Sequence, residues 1–225
     1  MYVIIKQIVE RGTKMAQRTI HYLFGELISR EVELHDKKRF LLGSILPDAY
    51  VDLEQRDATH FRVVDETGIY FDFPSFFEKY KKQIQEDDLY LGYYMHLVED
   101  AFYRIFFYNV HQKRPSTKEN VKSLHRDYHI LNQYVIQKYE LENELYEIDK
   151  LSALFIDEIG EFRVEEFLKE LAEDFVEKIL GETVYLTEDM IDEYVMRYMP
   201  LALQEVRCAK MGISCLKISD YTWQK

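Results

Sequence analysis

Glycine and proline are scarce in this chain of 225 residues, at eight and four. A many-stranded sandwich needs frequent turns, so the shortage argues against that class and favours long helices. Cysteine is nearly absent. Cys208 and Cys215 form neither a CxxC metal pair nor a disulfide framework, so two reduced thiols are expected. No run approaches the roughly 18 uncharged apolar residues of a membrane-spanning helix. The apolar start from Met1 to Val9 is too short and too charged for a signal peptide, which makes a cytoplasmic location the default expectation. Basic charge is also short, with 29 Lys and Arg against 41 Asp and Glu and a formal net charge of -12. Such a surface repels duplex nucleic acid and anionic membranes, so no stable binding to either is expected. A small phosphorylated substrate stays compatible, because a bound cation inverts the local field. None of these features encodes an oligomeric state.

What is present is apolar and aromatic: 47% hydrophobic residues, with 18 tyrosines and 14 phenylalanines. That suffices for one sizeable core, and the expected class is an all-α, single-domain helical bundle. The codons for Glu10-Arg11-Gly12 can spell a purine-rich ribosome-binding sequence just before Met15. Residues 1–14 are therefore expected to be a translated leader, and 15–225 the domain.

Apolar periodicity predicts a first helix from Met15 to about Ser29, with Ile20, Phe24, Leu27 and Ile28 on one face. Pro47 ends a short helix, and residues 49–72 read as an irregular loop with extended pieces near 62–64 and 69–71. Asp72 and Pro74 open a helix to about Gln85. Residues 88–109 form the most apolar helix, preceded by the acidic run Glu86-Asp87-Asp88. Ser116-Thr-Lys-Glu119 reads as a capping box for a helix to about Tyr139. Further helices are expected at about 149–158, 164–180 and 188–210, the last capped by Thr187.

The helix of residues 88–109 carries the sharpest chemical signal. His96 and Asp100 are four apart and share a face, with Gly92 one turn earlier leaving room for a close approach. A carboxylate among apolar residues needs a partner or a metal. Arg104, one turn on, supplies an ordinary partner, and a lone H-x3-D is more often a core feature than a site. The rest of the inventory changes the balance. His21, Asp48, His60, His111, His125 and His129 also lie where a bundle can gather them, whereas His35 lies in a charged connector. Imidazoles with carboxylates and no thiolates suit zinc, with manganese or iron as alternatives, and so many donors suit two or three ions.

The combination Thr19-Ile-His21-Tyr, Leu42-Gly-Ser-Ile-Leu-Pro-Asp48, Thr59-His60-Phe and Tyr90-Leu-Gly-Tyr-Tyr-Met-His96-Leu-Val-Glu-Asp100 resembles the zinc-dependent phospholipase C family, related in fold to the P1-type nucleases. The resemblance implies a metal cluster buried between helices and a hydrolase, a phosphoesterase by this reading, acting through a metal-activated water. It assigns His21, Asp48, His60, His96 and Asp100 as metal ligands, with Asp100 bridging two ions and Asp48 either ligating or orienting the water. It extends to His111, His125 and His129, where the family has a glutamate at the last position. Asp127 is the alternative carboxylate there. Secreted members also use a terminal amine beside a leading tryptophan, which this sequence does not offer next to His21. Two other readings stay open: an HD-type phosphohydrolase, for which His35-Asp36 is the only literal pair, and a non-enzymatic scaffold keeping one structural metal.

Overall fold

Aspartate and threonine side chains set where helices begin. Asp36 accepts a hydrogen bond from the Arg39 N–H at 3.1 Å, Asp72 from Ser75 at 3.1 Å and Asp87 from Leu89 at 3.0 Å. Thr117 accepts from Asn120 and Thr187 from Met190, each at 3.2 Å. Each satisfies a backbone donor that the first helical turn leaves without a partner. The structure is a computed structural model that describes residues 18–146 and 162–223. The expected leader and the helix expected at 149–158 lie outside the described residues.

Eight α-helices follow in order among the described residues: α1 (Arg18–Glu31), α2 (Lys37–Ile45), α3 (Leu53–Thr59), α4 (Phe73–Glu86), α5 (Asp88–Ile105), α6 (Lys118–Lys138), α7 (Val164–Val176) and α8 (Glu188–Lys210). The expected all-α class is what the structure shows. A short 3-10 turn, Leu46–Asp48, follows α2, with Pro47 in its first positions. Between α3 and α4 lies one hairpin, β1 (Arg62–Val64) and β2 (Ile69–Phe71), antiparallel with Val63 opposite Tyr70. The chain end returns to it: Trp223 exchanges two backbone hydrogen bonds with Ile69, at 2.8 and 2.9 Å.

Helix α5 is the axis of the bundle. Every residue from Leu91 to Tyr103 is buried, and α1, α2, α4 and α8 pack around it. Burial of each large apolar side chain stabilises by about 1.5–3 kcal/mol, and Leu97, Val98 and Phe102 are wholly enclosed. Helices α2 and α5 touch backbone to backbone at Gly43 and Gly92. A Cβ on Gly92 would stand 2.2 Å from the Phe40 carbonyl oxygen, and one on Gly43 2.1 Å from that of Leu89. Only glycine permits this approach.

Several expectations are corrected. The cap of α6 is Thr117, not Ser116, because Thr117 is the last extended residue before the helix. The region expected to be irregular contains α3, opened by Asp52, which accepts from the Gln55 N–H at 2.9 Å. Helix α7 stops at Val176, and Glu177 is extended. Cys208 and Cys215 are joined as a disulfide, not left as reduced thiols. Gly212, at φ +75, turns the chain after α8, and the Cys215 N–H is held by the Glu205 carboxylate at 2.8 Å. Those two contacts bring together thiols that looked unremarkable in sequence. No helix among the described residues is long and apolar enough to cross a membrane.

Candidate metal centre

Four segments deliver five chemical side chains to one place. His21 comes from the first turn of α1, Asp48 from the 3-10 turn after α2, His60 from the end of α3, and His96 and Asp100 from α5. All five are at most 1% exposed. The residue after His60, Phe61, has φ 50. That left-handed backbone costs about 1 kcal/mol and turns the chain sharply out of α3 into β1.

The inward atoms form a ring of donors. His60 Nε2 is 3.3 Å from His96 Nε2, 3.5 Å from Asp48 Oδ1 and 3.5 Å from Asp100 Oδ2. His96 Nε2 is 3.8 Å from Asp100 Oδ2, and His21 Nε2 is 3.7 Å from Asp100 Oδ1 and 3.9 Å from Asp48 Oδ2. Four donors around one zinc at 2.0–2.2 Å would lie about 3.3–3.6 Å apart. The closest donors match that spacing, and two overlapping sets, Asp48 with His60 and His96 and His21 with His96 and Asp100, each keep their ligand atoms within 4.8 Å of one another. Each carboxylate turns one oxygen toward His21 and the other toward His60.

The outward nitrogens explain why the rings point this way. His96 Nδ1 lies 2.8 Å from the Ser44 carbonyl oxygen and His60 Nδ1 2.9 Å from that of Arg56. A carbonyl only accepts, so both protons sit on Nδ1 and both Nε2 lone pairs face inward. His21 Nδ1 is held in the same way by the Glu99 carboxylate. Glu99 is itself fixed by the Tyr194 hydroxyl, which donates to its Oε1 at 2.9 Å.

These residues fit a divalent cation. Four carboxylate oxygens, on Asp48 and Asp100, and the His21 Nε2 are buried with no hydrogen-bond partner among the described residues, an arrangement that is costly unless something else satisfies them. Burial pushes the His21 and His96 imidazoles down, His96 strongly, and pushes the Asp100 carboxyl up. Burial acts against the charge on His60 and Asp48 too, but their attraction for each other across 3.5 Å and the neighbouring charges prevail, raising His60 and lowering Asp48. A proton on His60 satisfies one neighbour. Divalent cations in the two overlapping donor sets would engage the rest and offset the two carboxylates.

The remaining sequence candidates lie elsewhere. His111 Nε2 pairs with Glu193 at 2.9 Å, His129 Nδ1 is 3.6 Å from Asp174, and the His125 ring packs toward Tyr128. Among the described residues these three form no group of converging ligand atoms. Asp127, the alternative, is occupied by structure: its carboxylate accepts the backbone N–H groups of Val184, Tyr185 and Leu186. The first expected partner of Asp100, Arg104, donates to the Tyr108 hydroxyl at 2.7 Å and acts on Asp100 as a nearby positive charge. His35 is exposed, as its connector position implied.

Sequence reasoning missed Glu99, Tyr194 and the two carbonyls. Glu99 had one available signal, an acidic residue beside Asp100 on a helix apolar nearly all round. The carbonyls had none, because any residue carries one.

A helical bundle enclosing three imidazoles and two carboxylates defines a metal-centre protein of the all-α class. The family model described as zinc dependent phospholipase C matches residues 13–181 of the 225, and the chain belongs to that family. No curated protein and no solved structure matches it.

Proposed function

We propose that the chain is a metal-dependent phosphoesterase acting on a small phosphorylated substrate. The observation that carries this reading is the inward ring of three Nε2 lone pairs and two carboxylates without hydrogen-bond partners, each imidazole fixed from behind by an acceptor. Family membership supports a hydrolase. Asp48, His60 and His96 would hold one ion, Asp48 through the oxygen that faces His60. His21 and Asp100 would be donors for a second. A histidine Nε2 has one lone pair, so His96 serves one ion at a time. The positions of His111, His125 and His129 give no support for a third.

When bound, a divalent cation supplies Lewis acidity toward a phosphoryl oxygen and acidifies water. The chain supplies the rest. Burial excludes bulk water from the ring, and the fixed imidazoles hold geometry without reorganising. Asp48, ionised and enclosed, is the group placed to accept a proton from an attacking water at one of its oxygens. The net charge of -12 favours a small substrate over an anionic bilayer.

The test is a screen of phosphomonoesters and phosphodiesters at mildly alkaline pH, using zinc-restored protein. Hydrolysis that disappears on chelation, and falls about a hundredfold or more in Asp48→Asn, is the expected outcome. Stoichiometric metal with no hydrolysis of any phosphoester would replace this reading with a structural metal site.

A further inference from the structure

Tyr50 stands two residues beyond Asp48, and its ring lies beside that of His60. It is 7% exposed. Its ring meets the His60 ring edge to face, with centroids 6.3 Å apart and planes at 67°. Among the described residues its hydroxyl, unlike those of the other tyrosines near the site, has no hydrogen-bond partner. Tyr93 donates to the Thr59 carbonyl, Tyr194 to Glu99, and Tyr128 to Tyr103. A buried hydroxyl without a partner is unfavourable, and phenylalanine, used freely in this core, would avoid the cost.

The surroundings point to the class of acceptor. Arg163 is fastened alongside: its backbone N–H donates to the Ala49 carbonyl at 2.9 Å and its Nε to the Tyr50 carbonyl at 3.0 Å. Arg56 adds a second positive charge that acts on the phenol, while Asp48 and Glu170 act in the opposite sense. Both guanidinium groups are also paired, Arg163 with Glu166 and Arg56 with Asp57, each at 2.9 Å; what suits a tetrahedral oxyanion is the buried hydroxyl donor next to carboxylates that a cation would neutralise.

We propose that Tyr50 is a substrate-contacting residue whose hydroxyl donates a hydrogen bond to a phosphoryl oxygen bound against Asp48 and His60. The identity of that oxygen as phosphoryl rests on the phosphoesterase reading; the need of the hydroxyl for an acceptor does not.

The experiment compares zinc-loaded wild type with Tyr50→Phe. Affinity for inorganic phosphate is measured by calorimetry, with zinc content, thermal midpoint and hydrolysis of bis(4-nitrophenyl) phosphate measured in parallel. The expected result is a phosphate Kd raised roughly tenfold, with zinc content unchanged and the midpoint unchanged or higher. A Kd within about twofold of wild type overturns the proposal, as does wild type that binds no phosphate. Loss of zinc or a clearly lower midpoint also overturns it, by showing that the hydroxyl has a structural partner. Failure of the phosphoesterase reading looks different: phosphate binding still depends on Tyr50, while wild type hydrolyses nothing.

Discussion

His60 Nε2 and His96 Nε2 face each other at 3.3 Å, and in the neutral rings neither nitrogen carries a hydrogen, because each Nδ1–H is committed to a carbonyl. Two lone pairs at that distance repel unless a cation or a proton lies between them. The function proposed for the chain depends on which of these it is, and the mutations below test the parts that hold the pair in place.

Gly92→Ala tests the backbone contact behind His96. The added Cβ meets the Phe40 carbonyl oxygen and the Ser44 nitrogen, so α2 must move away and take the Ser44 carbonyl with it. Overpacking of this kind costs about 1–3 kcal/mol, and loss of a ligand's outer acceptor lowers metal affinity about 10–100-fold. Thermal unfolding and zinc competition measure the two effects. A variant that unfolds normally and keeps its zinc affinity would contradict the positioning role.

Glu99→Gln tests the carboxylate behind His21. The amide keeps the size of the side chain but replaces a charged acceptor facing Nδ1 with a neutral one. Zinc bound through His21 should weaken by about 10–100-fold, with little change in helix content by circular dichroism. Equal zinc titration curves for both proteins would show that His21 needs no such support.

Asp127→Ala separates a structural carboxylate from a ligand. Three backbone N–H groups lose their acceptor, which should cost about 2–4 kcal/mol. Metal content should stay at the wild-type value. Loss of metal without loss of stability would reinstate Asp127 as a ligand.

Asp87 gives the clearest pH dependence. Burial acts to raise its carboxyl, but the Arg39 guanidinium and the Leu89 N–H outweigh this and hold it below the usual carboxylate range. Its pKa is lower folded than unfolded, so its contribution is present above about pH 4 and is lost as pH falls through the folded value. Wild type and Asp87→Asn should therefore differ in denaturant midpoint at pH 7 and converge at low pH. A constant difference across pH would refute the charge-based account.

Most of the fold was legible because it rests on local chemistry. Thr187 and the apolar spacing behind it gave α8 its bounds, and Asp72 with Pro74 gave the start of α4. Ser116 misled because two adjacent hydroxyl residues can both cap, and only backbone geometry decides between them. The five side chains that the structure gathers could be named because their order resembles the ligand pattern of the zinc-dependent phospholipase C family; spacing alone left them among a larger set. His125 and His129 share the i, i+4 spacing of His96 and Asp100, yet they lie on a helix whose partners take them elsewhere. Spacing fixes a shared face, and tertiary packing fixes what that face meets. The disulfide was invisible for a related reason, since it depends on the turn at Gly212.

Elemental analysis of protein purified without added metal is the most direct measurement, made on wild type and on His96→Ala. The account predicts at least one equivalent of a transition metal in wild type, with zinc expected, and a large loss in the variant. Wild type that is folded and holds no transition metal, before and after incubation with zinc, would contradict it.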